Sequence, residues 1–168
     1  MVIELSLRQG SVADALTVLA LFDESVQWLV QRGLSGQWGE EAFSARADTR
    51  ALVHRTLRDN DVLVAEHARE VVGVLAVGAS PPYVPGSPVP ELYVVLLLSA
   101  RRLHGNRIGA RLLEQTVEIA QERSVQMIRV DCWAGAPGLV RFYETQGFRR
   151  QGLFDLQGWR GQILGKTL

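Results

Sequence analysis

The sequence predicts a mixed α/β fold built on one open sheet. Strand-like and helix-like segments alternate along the 168 residues, in the order strand, helices, three strands, helix, strand, helix, two strands. The segment 91–98 has apolar residues on both faces, so it should lie at the centre of the sheet. The strongest helical periodicity follows it, at 107–123. No repeat or linker interrupts this order, and we expect one domain spanning residues 1–168.

The first part of the chain predicts one strand and two helices. Apolar and polar residues alternate at 2–7, which is typical of a half-buried strand. Ser11 is a plausible N-cap for a helix at 12–31, which a glycine-containing turn then ends. A further helical pattern predicts a second helix at 42–58.

The middle and the end of the chain predict the remaining strands and a short helix. The segments 62–65 and 71–77 form a hairpin joined by a short polar link. Five prolines mark 80–90 as a loop. Pro137 begins a short helix that Gly147 ends. The last three strands are predicted at 126–132, 148–154 and 159–165.

Composition excludes several classes of protein. Basic and acidic residues both number 18, so no basic field favours nucleic acid. Cys132 is the only cysteine, which excludes an internal disulfide and disfavours a cysteine-ligated metal site. The longest apolar run, 92–98, is too short to span a membrane, and the first residues lack a signal-peptide pattern. We expect a cytoplasmic protein without a metal, a nucleic-acid partner or a membrane partner.

The stretch RLHGNRIGARLL, residues 102–113, forms a corner between the central strand and the strongest helix. A helix N-terminus carries unpaired N–H groups and partial positive charge, and glycines allow a ligand to approach the backbone. Arg101, Arg102 and Arg107 add cations. The corner is therefore a candidate phosphate site. The alternative is an ordinary tight turn with solvated arginines, and neither the P-loop nor the dinucleotide pattern fits.

Two stretches resemble the GCN5-related N-acetyltransferases. The segment 104–109, HGNRIG, is similar to the family's motif [RQ]-x-x-G-x-[GA], although His104 stands in place of Arg or Gln and Arg107 in place of the middle glycine. The segment 139–148, LVRFYETQGF, is similar to the late motif, in which a Phe-Tyr pair precedes Gly-Phe. They occur in the family's order, with a strand between them.

The resemblance implies a fold and a co-substrate. The fold is a mixed sheet of about six to seven strands, with helices on both faces and a splay between the fourth and fifth strands. Acetyl-coenzyme A would lie in that splay, its pantetheine arm on the central strand and its pyrophosphate at the corner. The cofactor-binding residues that the resemblance implies are Leu97, Leu98, Ser99, His104, Gly105, Asn106, Arg107, Ile108, Gly109 and Ala110.

The resemblance also implies the catalytic groups. Tyr143 matches the tyrosine that protonates the departing thiolate in the family; the alternative is a core ring with a bonded hydroxyl. The family's strand glutamate falls on Tyr93 here. Glu91 lies two residues earlier on the same face and is our candidate base, the alternative being an exposed carboxylate at the strand entry. Asp131 is a weaker candidate. Ala136 replaces a common asparagine, so one cofactor contact or helix cap is expected to be missing.

The acceptor site should lie near the first helical pair. Trp28, Trp38 and Tyr93 are the candidate substrate-binding residues, together with the loop 33–39; the two tryptophans could instead cover the sheet. The expected function is acetyl transfer to a primary amine, of a small molecule first and of a peptide second. A non-catalytic acyl-coenzyme A module and a plain interaction domain are the alternatives. Dimers are common in the family, so a homodimer is an expectation.

Overall fold

The architecture is a seven-stranded sheet with helices packed around it, seen in a computed structural model that describes residues 2–168. Short 3₁₀ turns precede both α1 and α2, and another follows β4. The strands are β1 (Ser6–Gln9), β2 (Asp61–His67), β3 (Glu70–Gly78), β4 (Glu91–Ser99), β5 (Met127–Trp133), β6 (Arg149–Leu156) and β7 (Trp159–Thr167). The helices are α1 (Ala15–Val30), α2 (Ala47–Asp59), α3 (Ile108–Glu122) and α4 (Pro137–Thr145).

Local signals explain where the helices begin and end. Ser11 caps the turn that leads into α1, with its Oγ accepting from the Ala13 N–H at 3.2 Å. Asp14 completes this capping box by accepting the Ser11 N–H at 3.0 Å. Pro137 occupies the first turn of α4, and Gly147 follows the helix with φ +90°.

Two predicted boundaries differ from the structure. The first strand runs from Ser6 to Gln9 rather than over 2–7, because its ladder with β2 begins at the Ser6–Glu66 pair. The second helix does not begin at 42 as a continuous α-helix. Residues Phe43–Ala45 form a 3₁₀ turn, and the extended backbone of Arg46 separates that turn from α2.

The strand order is β1-β2-β3-β4-β5-β7-β6, and the β4–β5 pair is the parallel one. This pair extends only from Glu91–Met127 to Tyr93–Arg129, after which the two strands separate. On its other side β4 continues to pair with β3 as far as Ser99. The predicted splay between the fourth and fifth strands is confirmed.

Helices cover both faces, and α3 lies directly over the middle of the sheet. A Cβ on Gly73 would meet Ile108 and Leu112 of α3 at 2.7 and 2.9 Å, so this glycine allows the close approach. The helices α1 and α2 pack on the opposite face. A second, smaller apolar cluster joins Val84 of the proline-rich loop to Tyr93 of β4, Phe154 of β6 and Ile163 of β7.

Candidate active site

The cleft between β4 and β5 is the centre of the candidate site. Beyond Tyr93, β4 has no ladder partner on the β5 side within residues 2–168. The backbone of the predicted residues Leu97, Leu98 and Ser99 therefore borders an opening rather than another strand. An extended ligand arm could add to this edge in the manner of a strand.

The corner that follows β4 leads into an uncapped helix. A 3₁₀ turn, Arg101–Leu103, is followed by Gly105 with φ +91°. The side chain of Asn106 turns back to donate to the Leu103 carbonyl at 2.9 Å, and α3 receives no side-chain cap. The first N–H groups of α3, from Ile108 onward, have no partner within the helix. The corner therefore presents free donors at the positive end of a 15-residue helix.

The backbone conformation of Arg107 explains why the family's motif has glycine at this position. Its backbone is left-handed, with φ +58° and ψ +25°, a conformation that costs most residues about 1–2 kcal/mol. The side chain is 69% exposed and lies 3.6 Å from Glu114. The structure thus keeps the turn of the motif while placing a solvated cation at its edge.

Gly105 and Gly109 have different roles at the corner. Apart from its chain neighbours, no residue among 2–168 has an atom within 4 Å of a Cβ built on Gly105, so the space beside this residue is open to a ligand. A Cβ on Gly109 would lie 3.3 Å from the Phe142 ring. The absence of a side chain at Gly109 therefore allows α3 to pack closely against α4.

Trp28 lies beside this corner. The guanidinium carbons of Arg32 and Arg101 lie 3.9 and 4.4 Å from the centroid of its ring. The His104 ring stacks at 6.4 Å. Burial and the nearby Arg32 charge lower the pKa of Arg101. These contacts place Trp28 among cations near the candidate phosphate site, which does not favour the acceptor role expected for it.

Tyr143 lies in the interior below the cleft. It is 5% exposed, and its ring packs edge-on against Phe142 and Phe148. Within residues 2–168 its hydroxyl has no hydrogen-bond partner, and burial raises its pKa. Cys132 lies nearby, and burial raises the pKa of its thiol to about 12. A protonated, unbonded phenol suits the expected role of a proton donor.

The Glu91 side chain forms an ion pair with Arg129. Its carboxylate accepts two hydrogen bonds from the Arg129 guanidinium, one from Nη2 at 3.0 Å and one from Nε. Arg129 also donates to the Pro85 carbonyl at 2.9 Å, which ties the proline-rich loop to the sheet. The two side chains are only 6% and 11% exposed, so Glu91 is not the exposed carboxylate of the alternative reading. A carboxylate bound to a guanidinium is also poorly suited to be the expected base.

Tyr93 and Asp131 form a second pair across the same two strands. The Tyr93 hydroxyl donates to Asp131 Oδ2. Tyr93 is 1% exposed, so its ring offers a ligand little surface, and the substrate-binding role expected for it stays a prediction. Asp131 is half-buried. From the sequence, Asp131 is only a weaker candidate for the base. The alternation of β5 nevertheless places Arg129, Asp131 and Trp133 on one face.

The predicted loop 33–39 closes over the end of β5. Gly36 and Gly135 both pack against the Trp133 indole, where a Cβ on either residue would clash. Gln37 Oε1 accepts the Trp133 N–H at 2.7 Å, and the Gly36 carbonyl accepts from Trp159 Nε1 at 2.7 Å. Sequence reasoning missed both of these tryptophans.

Trp38 packs against the core, and the substrate-binding role expected for it stays a prediction. Its ring lies edge-on to Phe22 at 5.1 Å and to Phe43 at 6.3 Å. This is the covering role that the sequence left open as the alternative. Ala136 stands at the N-cap position of α4 and supplies no side-chain cap, as expected where the asparagine is missing.

Within residues 2–168, no group of three or more His, Cys, Asp or Glu side chains is placed to hold a metal ion. None of the helices in this part of the chain has the length and apolar character needed to cross a membrane.

Solved structures share this fold. A ribosomal-protein-alanine N-acetyltransferase from Brucella melitensis is 24% identical, with TM-score 0.67, over 97% of this chain and 99% of that one. A putative acetyltransferase from Salmonella typhimurium, solved with acetyl-coenzyme A, is 16% identical, with TM-score 0.66, over 98% and 94%. An aminoglycoside acetyltransferase, AAC(6')-Ib, solved with ribostamycin and coenzyme A, is 20% identical, with TM-score 0.70, over 98% and 93%.

A comparison with curated protein sequences found no match. A family model described as the acetyltransferase (GNAT) family matches residues 23–148, which include the cleft, the corner and Tyr143. The chain has the GNAT fold, and it belongs to the GNAT acetyltransferase family.

Proposed function

We propose that this protein transfers the acetyl group of acetyl-coenzyme A to a primary amine of a small molecule. One observation supports this most strongly: the β4–β5 cleft opens at one end onto the uncapped N-terminus of α3 and has Tyr143 below it. Free N–H donors, open space at Gly105 and nearby arginines fit a diphosphate. An extended backbone edge fits the pantetheine arm.

Each predicted cofactor residue has a place in this proposal. The backbone of Leu97, Leu98 and Ser99 would bind the pantetheine arm. His104 lies at the corner beside Trp28 and would face the phosphates. The remaining residues would supply backbone donors and shape the corner: Gly105, Asn106, Arg107, Ile108, Gly109 and Ala110.

The chemistry requires a proton donor for the sulfur. A neutral amine nitrogen forms a bond to the thioester carbonyl carbon, and the carbon–sulfur bond breaks. Tyr143 donates its proton to the departing sulfur, and the proton lost by the nitrogen restores the phenol. Acetyl-coenzyme A supplies the activated acyl group, and the products are an amide and a free thiol.

Relatives support the co-substrate and this class of acceptor. The Salmonella structure holds acetyl-coenzyme A, and the aminoglycoside enzyme was solved with coenzyme A and an amine-bearing ligand. A non-catalytic acyl-coenzyme A module remains the second candidate, because the ion-paired Glu91 leaves the chain without its expected base. A peptide amine remains the second acceptor class.

Calorimetric titration with acetyl-coenzyme A tests the co-substrate, with dephospho-coenzyme A and NAD as competitors. Gly109→Val should weaken binding, because the new side chain displaces Phe142 and distorts the corner. Gly86→Val is the matched control, since no atom lies within 4 Å of a Cβ there, and its affinity should equal that of the wild type. Wild-type protein that binds no coenzyme A species would refute the proposal.

Thiol release during incubation with an amine panel tests the transfer step. The panel contains 2-phenylethylamine, kanamycin and a peptide with a free N-terminus, and mass spectrometry identifies the acetylated product. Amide formation with any member supports the enzyme. Tight binding of acetyl-coenzyme A without product from any amine would favour the non-catalytic module.

A further inference from the structure

We propose that Asp131, held in place by Tyr93, binds the ammonium group of the acceptor and takes its proton. The acceptor is then an amine with one ammonium group on an apolar or aromatic body. This inference rests on the proposed acetyl transfer and adds the missing base and the class of acceptor. It is drawn from the geometry of the cleft on the side away from α3.

The position of the pair is the first argument. Tyr93 and Arg129 form the last ladder pair before β4 and β5 separate, and Asp131 follows two residues later on β5. The Tyr93–Asp131 hydrogen bond therefore crosses the point where the cleft begins. Tyr143 and Asp131 lie close enough for their charges to interact, so the acid and the base would share one site.

The unsatisfied charge is the second argument. Asp131 Oδ2 accepts from Tyr93, whereas Oδ1 accepts no hydrogen bond from the residues that the structure describes. Nor does a cation within 2–168 pair with this carboxylate, because Arg129 is bound to Glu91 and to the Pro85 carbonyl. A half-buried carboxylate without a cation is costly, and an ammonium ion would relieve that cost.

The pKa of Asp131 is consistent with its proposed role as the base. The ionisable groups around it are Tyr93 on β4, Tyr83 on the proline-rich loop, Tyr143 on α4, and Arg129 and Cys132 on its own strand. Burial raises the pKa of Asp131, and the Tyr93 hydrogen bond lowers it part of the way back. A carboxylate with a raised pKa is a better proton acceptor than an exposed one.

The surroundings indicate the body of the acceptor. Ile163 lies opposite Asp131 on β7 and belongs to a buried cluster with Val84, Tyr93 and Phe154, so the wall beside Asp131 is apolar although these four side chains are themselves enclosed. The Tyr83 ring, 46% exposed, lies 5.9 Å from Phe154 and extends this apolar surface to solvent. One carboxylate among apolar and aromatic side chains suits a single ammonium group better than a polycation.

The proton transfer balances with the acetyl transfer. Asp131 carboxylate takes one proton from the ammonium ion, which frees the nitrogen lone pair and leaves a carboxylic acid. The amide and thiol then form as described above, and Asp131 returns its proton to water. Tyr93 acts only through Asp131 and is a positioning residue.

The decisive experiment compares the pH dependence of kcat/KM for 2-phenylethylamine in the wild type and two variants. Asp131→Asn should lower kcat/KM by about 10²-fold or more. Tyr93→Phe should move the acidic limb of the kcat/KM profile to higher pH, because the hydrogen bond that stabilises the Asp131 carboxylate is lost. Tyr83→Phe is the matched control, since its hydroxyl does not bond Asp131, and its acidic limb should stay in place.

A measurement without substrate separates this inference from the proposed function. The pKa of the Asp131 carboxyl, followed by the carbon chemical shift of its Cγ, should lie above the ordinary value and rise further in Tyr93→Phe. Asp131→Asn with kcat/KM within about twofold of the wild type would overturn the inference and leave the acetyltransferase intact. So would an unchanged pKa in Tyr93→Phe, or a preference for kanamycin over 2-phenylethylamine. Wild-type protein that acetylates no amine would overturn both proposals.

Discussion

Replacing Glu91 by glutamine tests whether this residue is structural or catalytic. The change removes the negative charge that faces Arg129, whose side chain is 6% exposed and cannot reach much water. Removing one partner of a buried ion pair costs about 3–5 kcal/mol. Glutamine Oε1 can still accept one of the two hydrogen bonds, so we expect the lower end, about 3 kcal/mol.

The measurement is urea unfolding followed by the fluorescence of the four tryptophans, with a thermal melt in parallel. A loss of about 3 kcal/mol corresponds to a Tm lowered by about 6–12 °C for a chain of this size. Glu144→Gln is the matched control. It removes an exposed ion pair with Arg150, with N–O distance 2.9 Å, and should cost less than about 1 kcal/mol.

Catalysis should respond differently from stability. The folded Glu91→Gln protein should retain kcat within about threefold of the wild type, because the proposed base is Asp131 rather than Glu91. An unfolding free energy equal to that of the wild type, combined with a loss of kcat of about 10²-fold, would refute this reasoning. Glu91 would then be the base after all.

Three further predictions concern the acid, the corner and the cysteine. Tyr143→Phe should lower kcat by about 10²-fold or more while calorimetry shows nearly unchanged affinity for acetyl-coenzyme A; equal turnover at saturating substrate would remove Tyr143 from the acid role. Arg107→Gly should raise the free energy of unfolding by about 1 kcal/mol, because glycine adopts φ +58° without strain, and urea unfolding with no gain would contradict this. Cys132 should not react with a disulfide reagent at pH 8 until urea unfolds the chain, because burial keeps its thiol protonated and enclosed; rapid reaction of the native protein would show an open core at β5.

The sequence was most informative where one segment determines its own structure. The periodicity of α3, the glycines before it and the Pro137 start of α4 are local features, and the structure has them close to the predicted positions. Recognition of the family predicted the splay, which the structure confirms and which no local pattern could have predicted.

The candidate site was harder to predict, because its contacts join distant parts of the chain. Glu91 pairs with Arg129 and Tyr93 with Asp131, each across 38 residues, and the partners follow only from the register of β4 against β5. The contact of Trp28 with Arg101 depends likewise on how α1 packs against the end of β4. Glu91 and Asp131 are both carboxylates, so residue type alone does not distinguish their roles. Their surroundings in the folded protein do.

The two side-chain pairs also determine how deep the cleft is. Each crosses from β4 to a residue two positions beyond its nearest ladder neighbour on β5, so the two pairs lie parallel on one face, two residues apart along each strand. Where two strands separate at one end, the separation can extend along the ladder, because each backbone pair that breaks exposes the next pair. Glu91–Arg129 and Tyr93–Asp131 hold the last paired rungs together with bonds that the backbone does not supply. The depth of the cleft is therefore limited by side chains, and a relative with different residues at these positions could have a deeper or shallower cleft on the same backbone.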